Sequence, residues 1–145
     1  MKFSSSFLCM LRTLRLTGFL LFLAGWLLPN TAFAQAKPEF RAVWVATVDN
    51  IDWPSKGNYN SDLQKIEFTR LLDMHRRNGI NAVIVQVRPV SDAFYPSPFE
   101  PWSEFLTGTQ GKPPEPYYDP LAFMITDAHK RGMEFHAWTN PYRAV

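Results

Sequence analysis

Phe40-Arg-Ala-Val-Trp-Val-Ala-Thr-Val48 is the stretch on which the fold turns. It is apolar except at Arg41 and Thr47, and rich in β-branched and aromatic residues. A run of this kind reads as a strand buried on both faces, as in a parallel sheet, rather than one alternating between core and water. Downstream comes a loop, Asp49 to Gly57. Ser61 then opens a helix with Gln64 three positions on, a capping-box pattern. Leu63, Ile66, Leu71 and Met74 supply its apolar stripe, and Asn78-Gly79 ends it. Ile80-Asn-Ala-Val-Ile-Val-Gln-Val87 is a second strand, closed by Arg88-Pro89. A segment without periodicity, holding six further prolines, runs to Tyr118. Asp119-Pro120 starts a second helix, with Asp as N-cap and Pro in the first turn. That helix runs to Lys130-Arg131, where cations meet its negative end, and stops at Gly132. Met133-Glu-Phe-His-Ala-Trp138 is a third strand.

The order is therefore βαβαβ, an α/β pattern in which each crossover makes the flanking strands parallel and the connection right-handed. Three such strands leave open edges, and a closed barrel of eight units needs about 250 residues. The expected architecture is the N-terminal portion of a (β/α)8 TIM barrel, about three βα units, truncated at the C-terminus.

Upstream of the first strand, Lys2, Arg12 and Arg15 precede the apolar run Leu16–Leu28, and Ala32-Phe33-Ala34 forms an A-x-A cleavage site. This is the layout of a secretory signal peptide, residues 1–34. The apolar run is shorter than the roughly 20 residues a spanning helix needs. The domains expected are thus a signal at 1–34 and a partial barrel at 35–145. Contact with a membrane comes only through the signal before cleavage, and the destination is the periplasm or the exterior, with envelope association open.

The signal also distorts the composition. The 145 residues carry a formal charge of +2, but three of the 15 basic residues and none of the 13 acidic ones fall within 1–34. The remaining 111 residues carry −1 and no cysteine. With 46% hydrophobic and 19% charged residues, the chain is not of the disordered or collagenous class. The charge gives no reason to expect a nucleic-acid partner. The single cysteine, Cys9, excludes a disulfide framework and a Cys-based zinc site, and it precedes the apolar run, where it is misplaced for lipid attachment.

In parallel α/β folds, ligands sit at the carboxyl ends of strands. Asp49, Asp52 and Trp53 follow the first strand. Arg88, Asp92, Tyr95 and Trp102 follow the second. His136, Trp138, Asn140, Tyr142 and Arg143 lie on and after the third. A connection of about 30 residues is uncommon in a compact domain unless it has a function. Aromatic faces beside amides, carboxylates and Arg suit a sugar, whose C–H face stacks on a ring while its hydroxyls pair with polar groups. The same tryptophans, taken singly, suit packing under loops equally well. His136, flanked by Phe135 and Ala137, is divided in the same way between packing and substrate contact. His75 and His129 fall on helices and read as surface or packing residues. Lys65, Arg70, Arg76 and Arg77 are interspersed with acids and read as a solvated helix face. There is no G-x-G-x-x-G or G-x-x-x-x-G-K-[ST] loop for phosphate, no G-x-S-x-G elbow and no close-set histidine pair. No cofactor and no metal are expected.

Several blocks together resemble the glycosyl hydrolase-like 10 family: Phe40–Val48 with Asp52-Trp-Pro54; Asn78-Gly-Ile-Asn-Ala82 into Gln86-Val-Arg-Pro89; Tyr95-Pro-Ser97 leading to Pro101-Trp-Ser103; and Tyr118-Asp-Pro-Leu121 with Ala128-His-Lys-Arg-Gly-Met133. The most specific block is His136-Ala-Trp-Thr-Asn-Pro-Tyr-Arg143. The resemblance covers the N-terminal part of the family domain. It implies a (β/α)8 barrel, export, and action on glycans, with some members linked to cleavage of peptidoglycan strands. Glycoside hydrolysis uses two carboxyl groups, and in many sugar-cleaving barrels these lie on later strands. The catalytic pair is accordingly expected beyond Val145. Trp53, Arg88, Asp92, Tyr95, Trp102, His136, Trp138, Asn140, Tyr142 and Arg143 are then expected to contact substrate. The rival classes are a non-catalytic glycan-binding barrel and a different α/β enzyme, flavodoxin-like or of deacetylase type.

Overall fold

A computed structural model describes residues 39–143, and the signal read at 1–34 lies outside the described residues. The elements are β1 (Ala42–Val45), α1 (Ser61–Arg77), β2 (Ala82–Arg88), a short α2 (Glu104–Thr107), α3 (Pro120–Lys130) and β3 (Glu134–Thr139), with a 3₁₀ turn at Val48–Asn50. The three strands form one parallel sheet with β2 in the centre. Val43, Val83 and Phe135 share one row of the register, and Trp44, Ile84 and His136 share the next. The parallel βαβαβ unit expected from the sequence is present.

Among the described residues, β1 is covered on one face only, and nothing described covers the other. Val45, Val83, Val85 and Val87 pack with Phe68, Leu72, Met124 and Ala128 from the two long helices. Alternation turns Trp44, Ile84 and His136 to the other face, where Trp44 is 60% exposed. Apolar content therefore marked the strand correctly but did not mark which of its faces the described residues cover.

The α1 start is also one residue earlier than the capping-box reading. Asn60 is the N-cap, its Oδ1 accepting from the Asp62 and Leu63 N–H groups at 3.0 Å each. Gln64 does not fold back onto the cap. Its amide nitrogen donates to the Asn58 and Leu106 carbonyls at 2.7 Å each, and its oxygen accepts from the Tyr118 hydroxyl at 3.0 Å. These bonds rotate α1 so that Gln64, Phe68 and Leu72 face the core at i, i+4, i+8. Leu63, Ile66 and Met74 of the expected stripe are exposed. Burial raises the pKa of the Tyr118 phenol, so it remains a hydrogen-bond donor to Gln64.

α3 begins as the sequence dictates, with the Asp119 carboxylate accepting from the Ala122 N–H at 3.1 Å and Pro120 in the first turn. Arg131, past its end, joins it to α1: Nε donates to Asp73 of α1 at 2.6 Å, and Nη1 to Asp127 of α3 at 2.6 Å. Thr69 donates to the other Asp127 oxygen at 2.8 Å. The Arg131 guanidinium holds the Asp73 carboxyl below its ordinary value. The proline-rich connection 89–118 is ordered despite its lack of periodicity. Phe94 and Leu106 are buried within it, and bridges join Ala93 to Trp102 and Asn60 to Glu115. It thus packs over the N-terminal end of α1, at the carboxyl end of the sheet.

Candidate functional site

Arg88 is the last residue of β2, so the strand delivers its side chain to the carboxyl end of the sheet. There it forms an ion pair with Glu100. Glu100 is oriented in turn by Ser97, whose hydroxyl donates to Oε2 at 2.6 Å and accepts from the Phe99 and Glu100 N–H groups at 3.2 Å. The arrangement locks the guanidinium through Nη2, while its buried Nε keeps hydrogen-bonding capacity that no described group uses.

β3 brings a second group to the same end. The Trp138 indole N–H donates to Asn140 Oδ1 at 2.9 Å, and the Asn140 amide donates to the Pro89 carbonyl at 2.9 Å. The Asn140 backbone N–H donates to the Arg88 carbonyl at 3.0 Å. Asn140 therefore splices the end of β3 to the end of β2 and fixes the rotamer of Trp138. The Trp44 ring meets Trp138 edge-on at 5.2 Å, giving the indole a wall from β1. Trp138, Asn140, Pro141, Tyr142 and Arg143 line an open groove of about 520 Å³. Among the described residues, Tyr142 is 97% exposed.

The remaining residues expected to contact substrate are placed differently. Trp53 is 1% exposed and lies in the core, 5.3 Å from Phe68 and 5.9 Å from Phe94. Its indole N–H donates to the Gln64 carbonyl at 3.0 Å, so neither ring face nor donor is open. Asp92 is fully buried, with Oδ1 accepting from the Val90 N–H at 3.2 Å and Oδ2 without a described partner. Tyr95 and Trp102 are half-buried and pack on the core from the long connection, Trp102 meeting Tyr117 edge-on at 6.3 Å. His136 is exposed on the open face of the sheet, beside Phe40 at 5.5 Å and Glu134 at 3.1 Å. The structure thus gathers Trp138, Asn140, Tyr142 and Arg143 at one groove, splices it to Arg88, and keeps Trp53 away from it.

Three contributors escape a reading based on strand ends. Gln86 is fully buried, its Oε1 accepting from the Thr47 and Val48 N–H groups at 3.1 and 3.0 Å. Glu100 orients Arg88, and Trp44 walls Trp138. A signal existed for Gln86, the one polar residue inside Ala82–Val87. Trp44 lay within the first strand, where its apolar character made it look like core. Among the described residues, four buried side-chain atoms lack a partner, and three of them are Gln86 Nε2, Arg88 Nε and Asp92 Oδ2. Such atoms are uncommon, and these three fall within residues 86–92, at the carboxyl end of β2 and just after it.

A sequence profile described as glycosyl hydrolase-like 10 matches residues 39–143. Glycosyl hydrolase YngK of Bacillus subtilis strain 168 is 60% identical over 115 residues, covering 79% of this chain and 22% of that protein. Glycosyl hydrolase DigH of Escherichia coli K12 is 42% identical over 122 residues, covering 79% of this chain and 27% of that protein. The chain thus spans about a quarter of the length of these relatives.

Proposed function

The chain belongs to the glycosyl hydrolase-like 10 family, and from that premise we propose that it supplies glycan-binding surface to an exported glycosidase. The glycan is an envelope or extracellular one, peptidoglycan strands included. Family membership and the names of both relatives support a glycosidase-like function. The observation that carries the binding reading is the groove at Trp138–Arg143, where one fixed indole, one exposed phenol and the Arg143 guanidinium line a surface tied to the end of β2 through the Asn140 N–H and the Arg88 carbonyl. Rings accept the C–H face of a pyranose, and the polar groups pair with its hydroxyls.

Hydrolysis of a glycosidic bond runs on two carboxyl groups, about 5–5.5 Å apart for retention and about 6.5–9.5 Å for inversion, one of them kept protonated by a dry environment. Three carboxylates at this end of the sheet are already engaged: Glu100 by Arg88 and Ser97, Asp52 by the Ala46 N–H at 2.7 Å, and Asp92 by the Val90 N–H. In this reading residues 39–143 bind, and the acid and its partner come from later βα units of a (β/α)8 barrel. The engagement of these three, which leaves Asp49 and Glu104 as carboxylates outside an ion pair at this end among the described residues, also favours a second reading, a glycan-binding barrel without catalysis. Release of new reducing ends from peptidoglycan glycan strands by the full-length protein separates the two.

In the full-length protein, Trp138→Ala is expected to remove about 1 kcal/mol of stacking, roughly a fivefold rise in Kd for glycan, with the melting temperature held. Unchanged binding at unchanged stability would sink the assignment. Export rests on the signal layout of residues 1–34. Fused to alkaline phosphatase, that segment is expected to give active, extracytoplasmic enzyme, and a fusion inactive and retained in the cytoplasm refutes export.

A further inference from the structure

A second concavity opens at the same end of the sheet, on the β1 side. It measures about 220 Å³ and is lined by Asp49, Asn50, Lys56, Tyr59 and Glu104, among others. None of the residues read above as contacting substrate belongs to it. Its shape is held by the turn after β1 and by α2. Asp49 and Asn50 are consecutive non-glycine residues with left-handed backbones, φ 53° and 54°, a conformation that persists only where surroundings enforce it. Here the Asn50 amide enforces it, donating to the Pro54 carbonyl at 2.9 Å and to the Phe105 carbonyl at 2.7 Å. The result is an exposed Asp49 carboxylate at the rim. Among the described residues, Asp49, Lys56 and Glu104 take part in no ion pair.

Tyr59 is 49% exposed and is held beside these charges by Gly108. At φ +77°, Gly108 lies so close to the ring that a Cβ there would fall 2.7 Å from Cζ. The backbone angle, which ends α2, favours glycine, and the missing Cβ leaves room for the ring. The chemistry around the cavity is two carboxylate acceptors, one ammonium donor and one aromatic ring. A divalent cation would meet Lys56, and an anion would meet two carboxylates. A neutral pyranose suits all four groups, because each hydroxyl both donates and accepts and its C–H face stacks on Tyr59.

We propose that this concavity is a second glycan subsite, taking an uncharged pyranose residue of the same chain that occupies the Trp138 groove. The proposal rests on the glycan-binding reading above. β1 and β3 flank β2 in one sheet, and both sites open at its carboxyl end, so a longer oligosaccharide is the ligand that tests whether one chain occupies both.

The test is calorimetric titration of the full-length protein with the dimer and the hexamer of β-1,4-linked N-acetylglucosamine. Tyr59→Leu, which keeps a side chain against Gly108, and Asp49→Asn, which tolerates the same backbone, are each expected to weaken hexamer binding roughly fivefold and to leave dimer binding unchanged. Trp138→Ala is expected to weaken both. Wild-type hexamer affinity in the folded Tyr59 and Asp49 variants, with Trp138→Ala still impaired, overturns the subsite and leaves the main groove standing. Wild-type affinity in all three variants, or no binding by the wild type, overturns both. Calcium binding that Asp49→Asn abolishes overturns the sugar assignment in favour of a cation.

Discussion

Trp53→Ala is expected to destabilise the protein by about 3–5 kcal/mol, the range for removing a large aromatic side chain from a packed core. The side chain is 1% exposed and touches Phe68 and Phe94 edge-on or tilted. These three rings join the loop after β1, the middle of α1 and the connection after β2. Their loss leaves a cavity that none of the three segments can close alone, since each is fixed elsewhere by its own hydrogen bonds. A further loss follows from the Gln64 carbonyl, which accepts the indole N–H at 3.0 Å. A typical domain is stable by only 5–15 kcal/mol, so the variant should show a sharply lowered urea midpoint. Trp53→Phe, which restores most of the apolar volume, should recover more than half of the loss. A midpoint equal to wild type for Trp53→Ala would mean that the indole is not a core element and would return it to the candidate cleft residues.

That prediction separates two tryptophans that look alike in the sequence. Trp53 and Trp138 both lie at or just after a strand's carboxyl end, beside polar residues, in blocks that resemble the same family. What distinguishes them is tertiary. Trp53 is received by Phe68 and Phe94, whereas Trp138 lies against Trp44 and Asn140 on the face the helices do not cover. The strands themselves were legible, because apolar runs of this length bounded by Asn-Gly or Arg-Pro leave few alternatives. The start of α3 was legible for the same reason: Asp119-Pro120 is a local device and acts locally. The buried face of α1 was not. The Ser61–Gln64 spacing is a local signal, but the Gln64 amide is claimed by Leu106 and Tyr118, 42 and 54 residues away. Long-range partners outcompete a capping box whose net worth is about 1 kcal/mol. The groove at Trp138–Arg143 was legible as a list of residues, but its rigidity was not. That depends on Asn140 reaching the Pro89 carbonyl and on Glu100 pinning Arg88.

Gln86→Met is the substitution expected to couple fold and site most directly. Methionine has nearly the same length and volume, so packing is kept and the change is confined to hydrogen bonding. The wild-type Oε1 accepts from the buried Thr47 and Val48 N–H groups at 3.1 and 3.0 Å. Each donor left unpaired costs about 1–3 kcal/mol. Against this stands Nε2, which is buried and has no described partner, so its removal returns about 1–3 kcal/mol by the same reasoning. Two losses and one gain leave a net destabilisation of about 1–3 kcal/mol, visible as a lowered urea midpoint. The location of the loss matters more than its size. Thr47 and Val48 lead directly into Asp49 and Asn50, and the Thr47 hydroxyl still donates to the Gln86 carbonyl at 2.8 Å. The strand pairing therefore survives while the turn that aims Asp49 loosens. Amide exchange at Thr47 and Val48 is expected to accelerate far more than at Val83 or Val85, and glycan binding should weaken even where the variant remains folded. Equal acceleration across β2 would mean that the side chain supports the sheet as a whole. Unchanged exchange at Thr47 and Val48 would mean that the Gln86 amide does not hold the turn at all.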